Sequence, residues 1–178
     1  MIETPRLVLR EWREEDIEPF VRDLNTPRVM RWLGGVRTQE QQREVVRERF
    51  IAWQESRGFT FWLAERRSDG EFLGLCGLKI SDDAGSPVEG LHEIAWRFRE
   101  EAWGRGYAKE AATAALDFAF DRLAADRVIA LTVEENAPSW GLMLRLGMRR
   151  RPELDYSGAP WTDGRVIVHE MRREQWRS

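Results

Sequence analysis

Small apolar residues set the rhythm in the middle of the chain. Ala108, Ala111, Ala112, Ala115, Leu116 and Ala119 recur at three- and four-residue steps, which predicts a helix from Tyr107 onward. A face built mostly of alanine lets such a helix lie close against a sheet. Just ahead, Glu93 to Arg99 places Ile94, Ala95, Trp96 and Phe98 between charged ends and predicts a strand. Gly104-Arg105-Gly106 breaks the pattern between the two.

The same reading extends along the chain. Arg6 to Trp12 predicts a first strand after Pro5, and Ile17, Phe20, Val21 and Leu24 fall at helical spacing. After Asn25-Thr26-Pro27, the residues Val29, Met30, Trp32 and Leu33 predict a second short helix ended by Gly34-Gly35. Thr38 with Gln41 forms a capping box that opens a third helix to about Glu55; Val45, Val46, Arg49, Phe50 and Trp53 mark its buried side. Phe59 to Arg66 and Glu71 to Ser81 predict strands joined by a hairpin turn at Ser68-Asp69-Gly70, followed by a polar loop at 82–90. Arg127 to Val133 is a β-branched strand, and Ala137 to Leu146 a helix stopped by Gly147. Two more strands follow, one after Met148 and one from Arg165 to Met171, with the loop Tyr156 to Gly164 between them.

No repeat and no Gly, Ser or Pro linker interrupts this order, so 1–178 reads as a single α/β domain with a mixed sheet and helices on both faces. A net charge of −3 argues against broad nucleic-acid binding, and the Arg149-Arg150-Arg151 run reads as solvated charge. No run approaches the roughly 18 apolar residues of a membrane span, and no signal peptide opens the chain; the expectation is a cytoplasmic protein without a membrane partner. The single cysteine, Cys76, excludes an internal disulfide; set in an apolar strand, it reads as a small buried hydrophobe. His92 and His169 are too few and too far apart for a structural zinc site, so no metal is expected. Most of the nine tryptophans belong to the core, with a few available for a substrate groove.

A strand feeding a glycine turn that opens a helix can bind phosphate. The first N–H groups of a helix lack internal partners, and the helix dipole adds partial positive charge there. Gly104, Arg105, Gly106, Tyr107, Ala108 and Lys109 are the candidates, the glycines admitting the anion closely and Arg105 and Lys109 adding charge. A tight strand-to-helix turn also needs glycine for its own sake. The P-loop pattern is absent, and Lys109 stands where a dinucleotide fingerprint has its third glycine, which disfavours a nucleotide-dependent oxidoreductase.

Trp103-Gly104-Arg105-Gly106-Tyr107-Ala108 resembles motif A of the GNAT superfamily of acyl-CoA N-acyltransferases, [QR]-x-x-G-x-[GA]. Gly106 and Ala108 match, and Trp103 replaces the usual Gln or Arg. The string WGRGYAKEA is similar to the ribosomal-protein N-acetyltransferase (RimJ/RimL-like) branch, as are the opening residues 3–35 and the closing HEMRREQW. Asn136-Ala137-Pro138-Ser139 with Leu146-Gly147-Met148 resembles the family's N-x-x-S…L-G-F region, Met148 replacing the aromatic. The resemblance spans essentially the whole chain. It implies the GNAT fold, an α/β (α+β) architecture whose mixed, mostly antiparallel sheet of about seven strands splays between its fourth and fifth. It also implies acetyl-CoA as donor, with the backbone of Ile94, Ala95, Trp96 and Arg97 pairing with the pantetheine. Residues Gly104 to Lys109 would hold the pyrophosphate, and Asn136 would bond the pantetheine arm.

The implied reaction is acetyl transfer to a primary amine by direct attack in a ternary complex. An ordinary amine is mostly protonated near neutrality, so a base helps, and a backbone N–H of the fourth strand suits the developing oxyanion. Glu93 is the first candidate base, with His92 beside it; Glu153 and Asp155 lie where RimL-like proteins keep a carboxylate. Ser139 is the candidate proton donor to the thiolate, because Met143 occupies the place of the tyrosine many relatives use; its other reading is helix capping. Trp32, His92 and Asp155 are candidates for the acceptor groove. The acceptor is a protein N-terminus or a small-molecule amine, and the acidic residues Asp82, Asp83, Asp155 and Asp163 would suit a cationic one. The protein is expected as a monomer or homodimer. The alternative is a non-catalytic acyl-CoA-binding sensor on the same fold.

Overall fold

One sheet runs through the molecule with helices laid on both of its faces, and the computed structural model describes residues 1–176. In chain order the strands are β1 (Ile2–Glu3), β2 (Leu7–Arg10), β3 (Phe61–Arg66), β4 (Phe72–Ile80), β5 (His92–Phe98), β6 (Arg127–Val133), β7 (Arg149–Arg150) and β8 (Val166–Arg172). The helices are α1 (Ile17–Leu24), α2 (Gln39–Glu44), α3 (Ala52–Arg57), α4 (Tyr107–Asp121), α5 (Ala137–Arg145) and α6 (Arg173–Trp176); a π-helical stretch, Val45–Ile51, joins α2 to α3. The spatial order of strands is β1-β2-β3-β4-β5-β6-β8-β7. Every neighbouring pair is antiparallel except β5 and β6, which are parallel. The strand beyond the expected seven is β1, where Ile2 and Glu3 pair with Leu9 and Val8.

The parallel junction is the weak one. β4 and β5 pair over seven registered positions, from Gly74↔Phe98 to Ile80↔His92. β5 and β6, equally long, register among the described residues only at Glu93↔Ile129. Two strands that meet at one rung leave a gap along the rest of their facing edges. This is the splay the family resemblance led us to expect.

Alternation along the strands decides what covers each face. Leu78, Ile94 and Phe98 point to the side where α4 lies and pack with Ala111, Ala112, Ala115, Leu116 and Ala119. The alanines let α4 sit near β2, β4, β5 and β6 at once. Leu63 and Leu75 point the other way, into a cluster with Ile17, Phe20, Val21 and Leu24 of α1 and Val46 and Phe50 of the π-helical stretch. Thr38 and Gln41 form the expected capping box, at 3.2 and 3.0 Å.

One predicted element is corrected. Val29 to Leu33 is not a helix but part of a pair of turns: the Met30 N–H donates to the Thr26 carbonyl at 2.9 Å, and those of Leu33 and Gly35 donate to the Met30 carbonyl. Pro27 removes a donor, and Gly34 and Gly35 adopt φ of 82° and 81°. The segment left between them is too short to recover the cost of helix nucleation. Among the described residues no helix is long and apolar enough to cross a membrane.

Candidate active site

The turn between β5 and α4 is shaped for an anion. Gly106 is the N-cap of α4 at φ 81°, ψ 0°, a left-handed conformation that strains any residue with a Cβ. A Cβ there would also lie 3.3 Å from Arg6 Nη2. No side chain caps α4 at Gly106, so its first amides face outward, flanked by the exposed Arg105 and Lys109. Trp103 closes the turn by donating its indole N–H to the Phe98 carbonyl at 2.7 Å.

Arg6 braces this turn from 100 residues away, a relationship no local pattern announces. Its backbone N–H and its Nε donate to the two carboxylate oxygens of Glu110 at 2.7 and 2.6 Å. Its Nη1 donates to the Arg105 carbonyl at 2.9 Å, and its guanidinium carbon stands 4.6 Å from the centre of the Tyr107 ring. The Thr4 hydroxyl adds a bond to Glu110 at 2.6 Å.

On the far side of the splay, Asn136 is the N-cap of α5, yet its side chain does not cap the helix. Its amide donates instead to the Thr132 hydroxyl on β6 at 3.0 Å. Ser139 lies in the first turn of α5, half-buried, and Met143 two turns in is buried.

Glu93 stands at the single rung joining β5 to β6. It is 7% exposed, and its Oε2 lies 3.4 Å from Lys79 Nζ without a hydrogen-bond partner among the described residues. Lys79 is held more closely by Asp82, at 2.5 Å. Burial raises the Glu93 carboxyl to about 7, against the opposing charge of Lys79 and with help from Asp83. Asp83, itself buried, accepts hydrogen bonds from the Tyr156 hydroxyl and, at 3.2 Å, from the Trp161 indole. The loop between β7 and β8 is thereby tied to the end of β4, beside Glu93. Such a carboxyl, poised near neutrality in a sealed setting, is suited to general-base work.

Residues 6–149 match the family model described as Acetyltransferase (GNAT) domain. The chain belongs to the GNAT acetyltransferase family. It is 33% identical over 128 residues to the uncharacterized protein YkkB of Bacillus subtilis (strain 168), covering 70% of each chain. It is 26% identical over 167 residues to the uncharacterized N-acetyltransferase YoaA of the same organism, covering 90% of this chain and 92% of that one. An acetyltransferase structure from Agrobacterium tumefaciens str. C58 shares the fold at a TM-score of 0.79 and 25% identity, covering 96% of this chain and 93% of that one.

Within this GNAT fold the expected site residues separate. Ile94 to Arg97 line the β5 edge beyond the last rung to β6, and Gly104 to Lys109 form the turn that opens α4. His92 does not share the surroundings of Glu93, and the expectation that it sits beside that carboxyl is corrected: neighbours on a strand face opposite ways. Its ring lies 6.1 Å from that of Phe59, on the α4 side, where burial lowers its pKa. Asp155 is turned inward with a side chain 3% exposed. Burial alone would raise its pKa, but Arg150, at 2.6 and 2.5 Å, holds it below the usual range. Glu153 pairs with Arg151 at 2.6 Å on the surface. Trp32 is half-buried under Arg31, whose guanidinium carbon is 4.5 Å from its ring centre. The turn carrying Trp32 meets the β7–β8 loop, since a Cβ on Gly34 would touch the Trp161 carbonyl at 3.3 Å. Sequence reasoning missed Lys79, Tyr156 and Trp161 and offered Asp83 only as loop charge; the folded chain gathers all four around Glu93. Cys76 is buried as expected, and burial pushes its thiol pKa up.

Proposed function

We propose that this GNAT chain is an N-acetyltransferase that moves the acetyl group of acetyl-CoA onto a primary amine by direct attack in a ternary complex. The observation that carries this reading is the placement of a buried, near-neutral carboxyl, Glu93, at the one rung where the sheet begins to open. The residues on either side of the opening suit the donor. The β5 edge offers backbone groups to an extended arm, and the α4 turn offers uncapped amides with Arg105 and Lys109 to a diphosphate. Asn136 presents a polar side chain on the opposite wall.

The donor supplies an activated acyl group; the protein supplies the proton traffic. Glu93 takes the proton that the amine gives up, and Ser139 donates one to sulfur as the C–S bond is exchanged for a C–N bond. The turn carrying Trp32 and the loop carrying Trp161 wall the acceptor's approach. Met143 in place of a tyrosine favours the second reading, a sensor that binds acyl-CoA without turnover.

Melting temperatures with acetyl-CoA, free CoA and NADH test the donor. A ligand at about 100 times its Kd adds roughly 2.7 kcal/mol of apparent stability. Shifts with both CoA species and none with NADH are expected, followed by release of free thiol in an amine screen. A CoA shift with no turnover on any amine favours the sensor; no CoA shift overturns the proposal.

A further inference from the structure

Arg97 projects from β5 on the face opposite α4, the same face as Glu93 four residues earlier. Two such positions on a strand are about 13 Å apart at the backbone. Its neighbours are Leu75 across the ladder and the Phe20 ring, 5.7 Å from the guanidinium carbon. Its Nε and Nη1 are sealed from solvent and have no hydrogen-bond partner among the described residues. A ring face attracts a cation but leaves those donors unused, and an unpaired buried charge is costly. Burial, with the like charge of Arg37, lowers the Arg97 pKa to about 10, still charged at neutrality.

The Arg37 backbone is anchored to the segment that follows α1. Its N–H and carbonyl are bonded to the Asn25 side chain at 3.1 and 2.7 Å, and Asn25 in turn accepts from the buried Gln42 at 3.0 Å. A guanidinium with two sealed, unbonded nitrogens on the Glu93 face of the sheet describes a place for an anion. The donor's diphosphate belongs elsewhere, because the α4 turn sits with the opposite face. Three of the four acidic side chains that would suit a cationic acceptor are spent: Asp82 on Lys79, Asp83 on Tyr156 and Trp161, Asp155 on Arg150.

We propose that Arg97 forms a subsite for the carboxylate of the acceptor, so that the preferred substrate is an amine that itself carries a carboxylate, of the amino-acid class. This rests on the acetyltransferase reading given above. The amine end lies toward Glu93 and the carboxylate end toward Arg97, whose guanidinium donates to it.

The test is kcat/KM at saturating acetyl-CoA for glycine, β-alanine, γ-aminobutyrate and 6-aminohexanoate, each against its carboxamide, with spermidine alongside. At least one carboxylate should exceed its carboxamide tenfold or more. Arg97→Gln should bring that ratio toward one, mainly through KM, and Arg97→Lys should restore part of it. Equal rates on carboxylates and carboxamides in the unaltered enzyme, or a preference for spermidine, overturn the proposal. A donor arm compares acetyl-CoA with S-acetylpantetheine: if Arg97→Gln collapses that ratio instead, the anion is a donor phosphate and the proposal is wrong. Should no amine be turned over while acetyl-CoA still stabilises the protein, the catalytic reading fails separately. The subsite is then read from melting shifts with N-acetylated carboxylates against N-acetylated carboxamides. A carboxylate-only shift that Arg97→Gln removes sustains it, and no difference ends it. Ligand-free Arg97→Gln should melt no lower than the unaltered protein, since it removes an uncompensated charge; a marked loss would assign Arg97 a structural role.

Discussion

Lys79 Nζ faces Glu93 Oε2 at 3.4 Å across the β4–β5 ladder, attracting its charge without giving that oxygen a hydrogen bond. The pair therefore leaves the carboxyl near neutrality rather than fixing it as an ordinary surface carboxylate.

The rate should follow that titration. With the Glu93 pKa raised to about 7, kcat/KM should climb as pH rises through that value, the ionised form being the base. Glu93→Gln should lose about 10²- to 10⁴-fold and the inflection with it. Stability moves the other way. The native carboxyl keeps its proton above the ordinary value of 4.5, so between 4.5 and about 7 the folded state binds more protons and loses stability as pH rises. Melting curves of the unaltered protein and Glu93→Gln across that window read this directly; parallel curves would mean that Glu93 titrates like an exposed carboxyl.

Gly106→Ala places a Cβ in the left-handed region and 3.3 Å from Arg6 Nη2. The conformational penalty is about 1–2 kcal/mol, a melting decrease of roughly 2–8 °C for a domain of this size. The acetyl-CoA shift should shrink beyond that loss, because the displaced turn no longer aims its amides together. A full shift in this variant would move the diphosphate away from the turn.

Ser139→Ala should slow thiol release at least tenfold while calorimetric affinity for CoA stays within twofold. Asn136→Ala should do the reverse, weakening CoA by several-fold. Full activity in Ser139→Ala removes the hydroxyl from the proton path.

The strand, glycine turn and alanine-faced helix were legible because each rests on local chemistry: period, conformation and uncapped amides. The hairpin and the Thr38 capping box were legible for the same reason. What the sequence concealed depends on distant partners. Arg6 reads as the first residue of an edge strand and becomes the brace of the α4 turn only once β2 lies beside it. Tyr156 and Trp161 look like loop residues until Asp83 receives them. His92 and Glu93 are adjacent in the chain and opposed in space, a separation that pleating imposes once the strand is paired on a known face. Arg97 entered as a backbone position; its side chain gained meaning from Phe20 and Arg37, on segments far away in sequence. The Val29–Leu33 spacing imitated a helix because two turns share its hydrogen-bond reach.

The rung at Glu93↔Ile129, single among the described residues, makes the sheet two leaves, β1 to β5 and β6 with β8 and β7, joined along one line. The helix α4 clasps both leaves from one side. The most sparsely paired seam of the sheet thus coincides with the place where the proposed reaction would bring its reactants together. A ligand arm laid along β5 would act as the missing strand, so occupancy would stiffen the whole molecule rather than one pocket. Amide exchange along the facing edges of both leaves would then slow together, the protein being most nearly complete as a structure when it is loaded.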